Sequence, residues 1–289
     1  MDWVNAVVQG VLLGGVYALF AVGLSLAFGV LRLVNLAHGQ LALVAAFLTV
    51  SLTEATDWSP LVLLAVVVPA MGAVGYGLQR GLFQRALGDD PLTSILVTFG
   101  LAVMIENLLL DRYTADARGL DAGSIETASI RLTDDLSVGW FRLVALLVAI
   151  GVLAALSAFL FRTRYGRAFR AVADDRDTAA LMGIDTRHLY ALAMAIAVAT
   201  VGIAGVFFGI QTTFSPSDGN GSLLFAFEAV IIGGLGSVWG TLAGGIVLGV
   251  AQTVGAQIEP GWSILAGHVV FLAVLAARPQ GLFARTAAA

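Results

Sequence analysis

The chain has 289 residues, of which 59% are hydrophobic and 12% charged, and its formal net charge is −4. A soluble domain carries about 25% charged residues to solvate its surface, so this composition excludes an ordinary soluble enzyme. There is no cysteine, and every one of the 15 basic residues is arginine. Disulfides, thiolate chemistry, Cys-ligated metals, Schiff-base lysines and a Walker-type nucleotide loop are therefore excluded.

Apolar runs lie at about 7–31, 40–53, 61–79, 94–110, 143–161, 189–213, 223–238, 240–258 and 263–277. Several reach the ~20 residues needed to cross ~30 Å of hydrocarbon. They are continuous rather than alternating, which selects helices over a β-barrel. The expected fold is all-α: a polytopic transmembrane bundle of about eight spans, with 1–289 as one domain. The first arginine is Arg32, so the first run reads as a span rather than a cleaved signal. Two places leave eight and nine crossings open. The run 40–53 is short and has a polar approach, and 223–258 is interrupted by glycines from Gly233 to Gly240. Each reads as a broken or re-entrant helix, tolerated where protein or water lines it.

Arginine bias in short loops sets the expected orientation. The segment 162–188 carries Arg162, Arg164, Arg167, Arg170, Arg176 and Arg187 and is placed in the cytoplasm. The loop with Arg80 and Arg85 and the tail with Arg278 and Arg285 fall on the same side. Acidic 54–60 and 111–142 fall opposite.

Within 162–188, alanines, arginines and short aliphatics favour a helix, a turn and a second short helix. Asp175 or Asp177 can cap the second helix, and Gly183 supplies a left-handed C-terminal position. Ala171, Ala179, Ala180, Leu181 and Ile184 make a small apolar surface among mixed charges. A solvated loop and a docking element for a polar partner both fit these residues.

Ionisable groups inside spans are costly and usually face a bundle interior or water. Asn35, His38, Gln40, Glu106, Asn107, Gln211 and Glu228 are the candidate substrate-pathway residues, and His268 fits an interhelical hydrogen bond. Gly236, Gly240 and Gly244 are spaced by four, as are Gly245 and Gly249, a pattern expected of close helix packing in lipid. No metal constellation or nucleophile–base pair emerges.

Four stretches carry a family resemblance, in order along the chain. They are NLAHGQ at Asn35–Gln40, GRAFRAVADDRDTAALMGID at Gly166–Asp185, EAVIIGGLGSVWGTLAGGIVLG at Glu228–Gly249, and RPQGLF at Arg278–Phe283. Together they resemble permeases of the branched-chain amino-acid ABC transporter family. Gln40 departs from the glutamate common there, and urea and short-amide permeases look similar over the same motifs. The resemblance implies a non-enzymatic permease subunit of an importer in the inner membrane. It further implies a second homologous permease, two cytoplasmic ATPase subunits and an extracytoplasmic binding protein, with no nucleic-acid partner. ATP and Mg would sit on the ATPases, leaving this chain without a cofactor. Coupling to them would fall to Gly166, Arg167, Arg170, Ala173, Asp174, Asp175, Asp177, Ala180, Leu181, Gly183 and Ile184. A hydrophobic amino acid is the expected substrate; a urea or amide importer and an ion-coupled secondary transporter are the alternatives.

Overall fold

A computed structural model describes residues 2–86, 91–133 and 136–283. Eleven helices organise it. They are α1 (Asp2–Leu31), α2 (His38–Thr56), α3 (Pro60–Leu78, continued by a wider π turn, Gln79–Phe83), α4 (Pro91–Tyr113), α5 (Trp140–Arg162), α6 (Arg164–Asp174), α7 (Arg176–Leu181), α8 (Thr186–Gln211), α9 (Gly219–Gly233), α10 (Val238–Ile258) and α11 (Ser263–Ala277). Among the described residues, eight helices are long and apolar enough to cross a bilayer. A two-stranded antiparallel hairpin, β1 (Ser129–Thr133) with β2 (Leu136–Gly139), precedes α5. Arg285 lies outside the described residues.

Burial is inverted relative to a soluble protein. The peripheral α5 buries only Phe141, Ala145, Ala149, Leu153 and Leu156, one helical stripe. Its opposite side exposes Leu147 and Ile150. An apolar exterior this continuous has lipid as its natural solvent. The centrally placed α1 and α8 are buried nearly all round, with Ala18, Leu19, Ala21, Met194 and Val198 inaccessible or almost so.

The helix ends define two faces. Arg32 Nη2 donates to the Ala173 carbonyl at 3.1 Å, tying the end of α1 to α6. Leu282 and Phe283 donate their N–H groups to the carbonyls of Ile232 and Gly233, at 2.8 and 3.0 Å. These contacts gather the ends of α1, α5, α9 and α11 with α6 and α7 on one basic face. On the opposite face Arg118 pairs with Glu54 at 3.2 Å, and Ser51 hydrogen-bonds Tyr113 at 2.6 Å.

Two helices begin inside the bundle instead of at a face. After α1 reaches the basic face, residues 32–37 turn back inward and α2 starts beside Phe20, about 16 Å of helix away from Leu31. After α8 reaches the opposite face, residues 212–218 also turn back, and α9 starts against α2. With only 15 residues, α9 is too short to span fully. A Cβ on Gly39 would collide with the Gly219 carbonyl, so Gly39 must be glycine for the two helix starts to meet, and a Cβ on Gly219 would press on the Gln40 amide. The order long helix, re-entrant stretch, helix that starts inside the bundle, two further helices thus occurs twice, as α1–α4 and again, inverted, as α8–α11. Packing obeys the same symmetry: α1 lies mainly on α10, and α8 mainly on α3.

Candidate functional site

The junction where α2 and α9 start is buried and polar. Asn35 is buried; its Oδ1 accepts the Ala37 N–H at 3.1 Å and its carbonyl accepts the His38 N–H at 3.2 Å. That turn launches α2. His38, equally buried, donates from Nε2 to the Phe20 carbonyl at 2.8 Å. Gln40 Nε2 donates to Glu106 Oε2 at 3.2 Å, joining α2 to α4, while Gln40 Oε1 has no partner among the described residues. Gly219 faces the Gln40 amide directly. Asn107 stands apart: it is exposed and donates to the Val103 carbonyl of its own helix at 2.8 Å.

A second polar pair links the repeat-equivalent helices α9 and α11. Glu228 is almost fully buried and hydrogen-bonds His268 Nδ1, whose ring stacks near Phe225 with centroids 6.4 Å apart. Tyr17 donates to Gln252 Oε1 nearby and packs on Phe225, centroids 5.2 Å apart. Gln211 lies elsewhere, at the end of α8, on the wall of a cavity of about 320 Å³. The predicted pathway residues therefore form two pairs and a cavity wall rather than one cluster. Tyr17 and Arg142, which also line that cavity, escape a sequence reading. Arg142 follows an acid-rich loop and reads as an ordinary helix-end charge.

On the basic face, 162–188 forms the expected helix–turn–helix. α6 is amphipathic, burying Gly166, Phe169, Val172 and Ala173 and exposing Arg164 and Arg167. Gly166 fits tightly against the Leu160 and Phe159 carbonyls, and Arg170 lies over the Phe161 ring, 4.9 Å from its centroid. Asp175 is the cap of α7: its Oδ1 accepts the N–H groups of Asp177 and Thr178, both at 3.0 Å, and its Oδ2 accepts the Thr178 hydroxyl at 2.7 Å. Those bonds, led by the Thr178 N–H, hold its carboxyl below its ordinary pKa. Asp185 caps α8 through the His188 N–H at 3.0 Å, which lowers its pKa likewise. Gly183, at φ +84°, ends α7. The apolar surface differs in one respect from expectation: Ala179 turns inward and Ile184 is half-buried. Ala180, Leu181 and Met182 face solvent, Leu181 being 87% and Met182 79% exposed. Asp174 and Asp177 are exposed beside them.

The glycine-rich motif is where α9 and α10 meet. Gly240 and Gly244 pack on the Gly233 and Ala229 carbonyls of α9, whereas Gly245 and Gly249 pack on Gly14 and Gly10 of α1. Gly236 is not a helix-packing residue. It sits at φ +78° in the turn between α9 and α10, against Gly29, because a helix reversal there needs a left-handed backbone. The RPQGLF tail supplies the N–H groups that satisfy two carbonyls at the end of α9, which would otherwise be unpaired.

Discontinuous helices meeting inside a polytopic bundle, with buried polar pairs between spans, define a helical membrane permease. Comparison with known sequences makes the class specific. Residues 6–276 match the family described as the branched-chain amino acid transport system / permease component, and the chain belongs to that family. It is 26% identical to the high-affinity branched-chain amino acid transport system permease protein BraD of Pseudomonas aeruginosa, over 98% of this chain and 96% of BraD. It is 27% identical to the corresponding LivH of Escherichia coli, over 96% and 94%. It is also 26% identical to the probable branched-chain permease LivH of Methanocaldococcus jannaschii, over 82% and 76%.

Proposed function

We propose that this chain is one permease subunit of an ABC importer that moves branched-chain or other hydrophobic amino acids across the inner membrane. It is a transporter rather than an enzyme and binds no cofactor itself. ATP and Mg act on two separate ATPase subunits that dock on the basic face, which is cytoplasmic. The whole chain acts as one translocating domain beside a second, homologous permease, and a binding protein delivers substrate to the opposite face.

The observation that carries this reading is the α6–α7 element. Its charged outer surface ends in an apolar tip, Leu181 and Met182, held out by two capped helix ends and a left-handed glycine. A pair of large apolar side chains this exposed outside the bilayer is expected to insert into a partner. Packing ties the element to the bundle, since α6 grips both α1 and α5. Motion of the tip would therefore reach the helices lining the interior.

The test is leucine uptake by cells carrying the full importer, with Leu181→Asp/Met182→Asp in this subunit. Uptake should fall about tenfold or more, as for a docking hot spot, with membrane levels of the protein unchanged. Wild-type uptake by the double variant would remove the coupling role. Leucine uptake driven by an ion gradient in ATP-depleted vesicles would make the chain a secondary transporter instead.

A further inference from the structure

We propose that the cavity opening toward the face opposite α6 and α7 is a binding site for an α-amino acid with an aliphatic side chain, in which Arg142 holds the carboxylate. The proposal rests on the importer reading and names what this subunit itself recognises.

The cavity exists because α9 starts inside the bundle. The wedge between α1 and α8 that a full-length helix would fill is left open above it, giving about 320 Å³, the size of a small-ligand pocket. One wall is apolar: Leu13, Val16 and Phe20 of α1 with Phe208 and Phe225. The polar groups lie toward the helix ends. Arg142, in the first turn of α5, is fixed by one bond to Gln9 Oε1 at 2.8 Å. No carboxylate among the described residues lies within ion-pair distance of it. A guanidinium has five N–H donors in a planar fork, so most of its capacity is uncommitted. Across the cavity, Gln211 Oε1 is buried and has no hydrogen-bond partner among the described residues.

An uncompensated cation and an unpaired acceptor facing a shared apolar wall match a zwitterion. The carboxylate would take two N–H groups of Arg142, the ammonium would donate to Gln211 Oε1, and the side chain would lie on Phe208 and Phe225. Urea and short amides carry no charge to meet Arg142. An acidic amino acid would place a second carboxylate against hydrocarbon. The geometry thus favours the hydrophobic amino acid over the amide among the substrates this family resemblance allows.

The experiment is equilibrium binding of radiolabelled L-leucine to the purified full-length chain in lipid nanodiscs, with L-leucinol, which lacks the carboxylate, as second probe. Arg142→Gln should weaken leucine binding about 10- to 100-fold, the worth of a charge-assisted hydrogen-bond pair, and leave leucinol binding unchanged. Gln211→Leu, which keeps the shape, should weaken both probes, and this second variant serves if Arg142→Gln does not fold. Equal affinity of the wild type for leucine and leucinol, or leucine binding untouched by both substitutions, would overturn the site. If that happened while the assembled importer still moved leucine, only the cavity assignment would fall. Transport of urea without leucine would sink the substrate reading itself.

Discussion

Gly39 and Gly219 show how single residues decide this architecture. The Gly219 carbonyl occupies the space of the missing Cβ of Gly39, and the Gln40 side-chain amide that of Gly219, so Gly39→Val forces apart the two helix starts. We expect a loss of about 3 kcal/mol, at the upper end of overpacking costs, read as a lowered melting temperature in detergent. Gly100 is the control, since nothing lies within 4 Å of its added Cβ. There Gly100→Ala should be neutral or stabilising by up to ~1 kcal/mol, through helix propensity alone. Sequence gives both glycines the same appearance. His38 follows similar logic. Its ring bonds the Phe20 carbonyl of α1 as a second donor, so His38→Ala removes a bond between α2 and α1 and leaves a gap where the buried ring packs. The expected cost is about 1–3 kcal/mol, and the melting temperature should fall while leucine binding persists.

At the scale of elements, α7 is the shortest helix with a defined task, and six residues cannot hold together on propensity alone. Asp175 supplies what propensity lacks. Because its folded pKa lies below the unfolded one, its stabilisation is present above the unfolded value, near ~4, and is lost as pH falls through the lowered folded value. Amide hydrogen exchange in 176–182 should therefore be insensitive to cap titration between pH 5 and 8. Asp175→Ala should accelerate it across that whole range. Exchange that rises between pH 8 and 5 in the wild type would show that another group governs α7. The helix–turn–helix itself was readable beforehand, since Asp, Gly and alternating charges are local signals. Which alanine turns inward was not, because that depends on how α6 lies against α1 and α5.

For the whole molecule, the cysteine-free sequence allows a direct check of sidedness. Single cysteines at Leu181 and Asp57, both exposed, should react with a membrane-impermeant maleimide from opposite sides, Leu181 only from the cytoplasm. Labelling of both from one side would contradict the placement of the two faces.

Composition, run length and arginine distribution were enough to establish a polytopic helical membrane protein, because the bilayer imposes length and backbone satisfaction on every span. Local motifs were enough for the helix–turn–helix of 162–188 and for breaks near residues 35 and 234. Only the tertiary structure decided that Gln40 meets Glu106, that Glu228 meets His268, and that Arg142 and Gln211 share a cavity. The reason is physical. In lipid both the buried and the outward sides of a helix are apolar, so hydrophobic periodicity no longer tells one from the other. Which polar side chains come together then depends on how the helices pack, through glycines whose partners are other backbones far away in the chain.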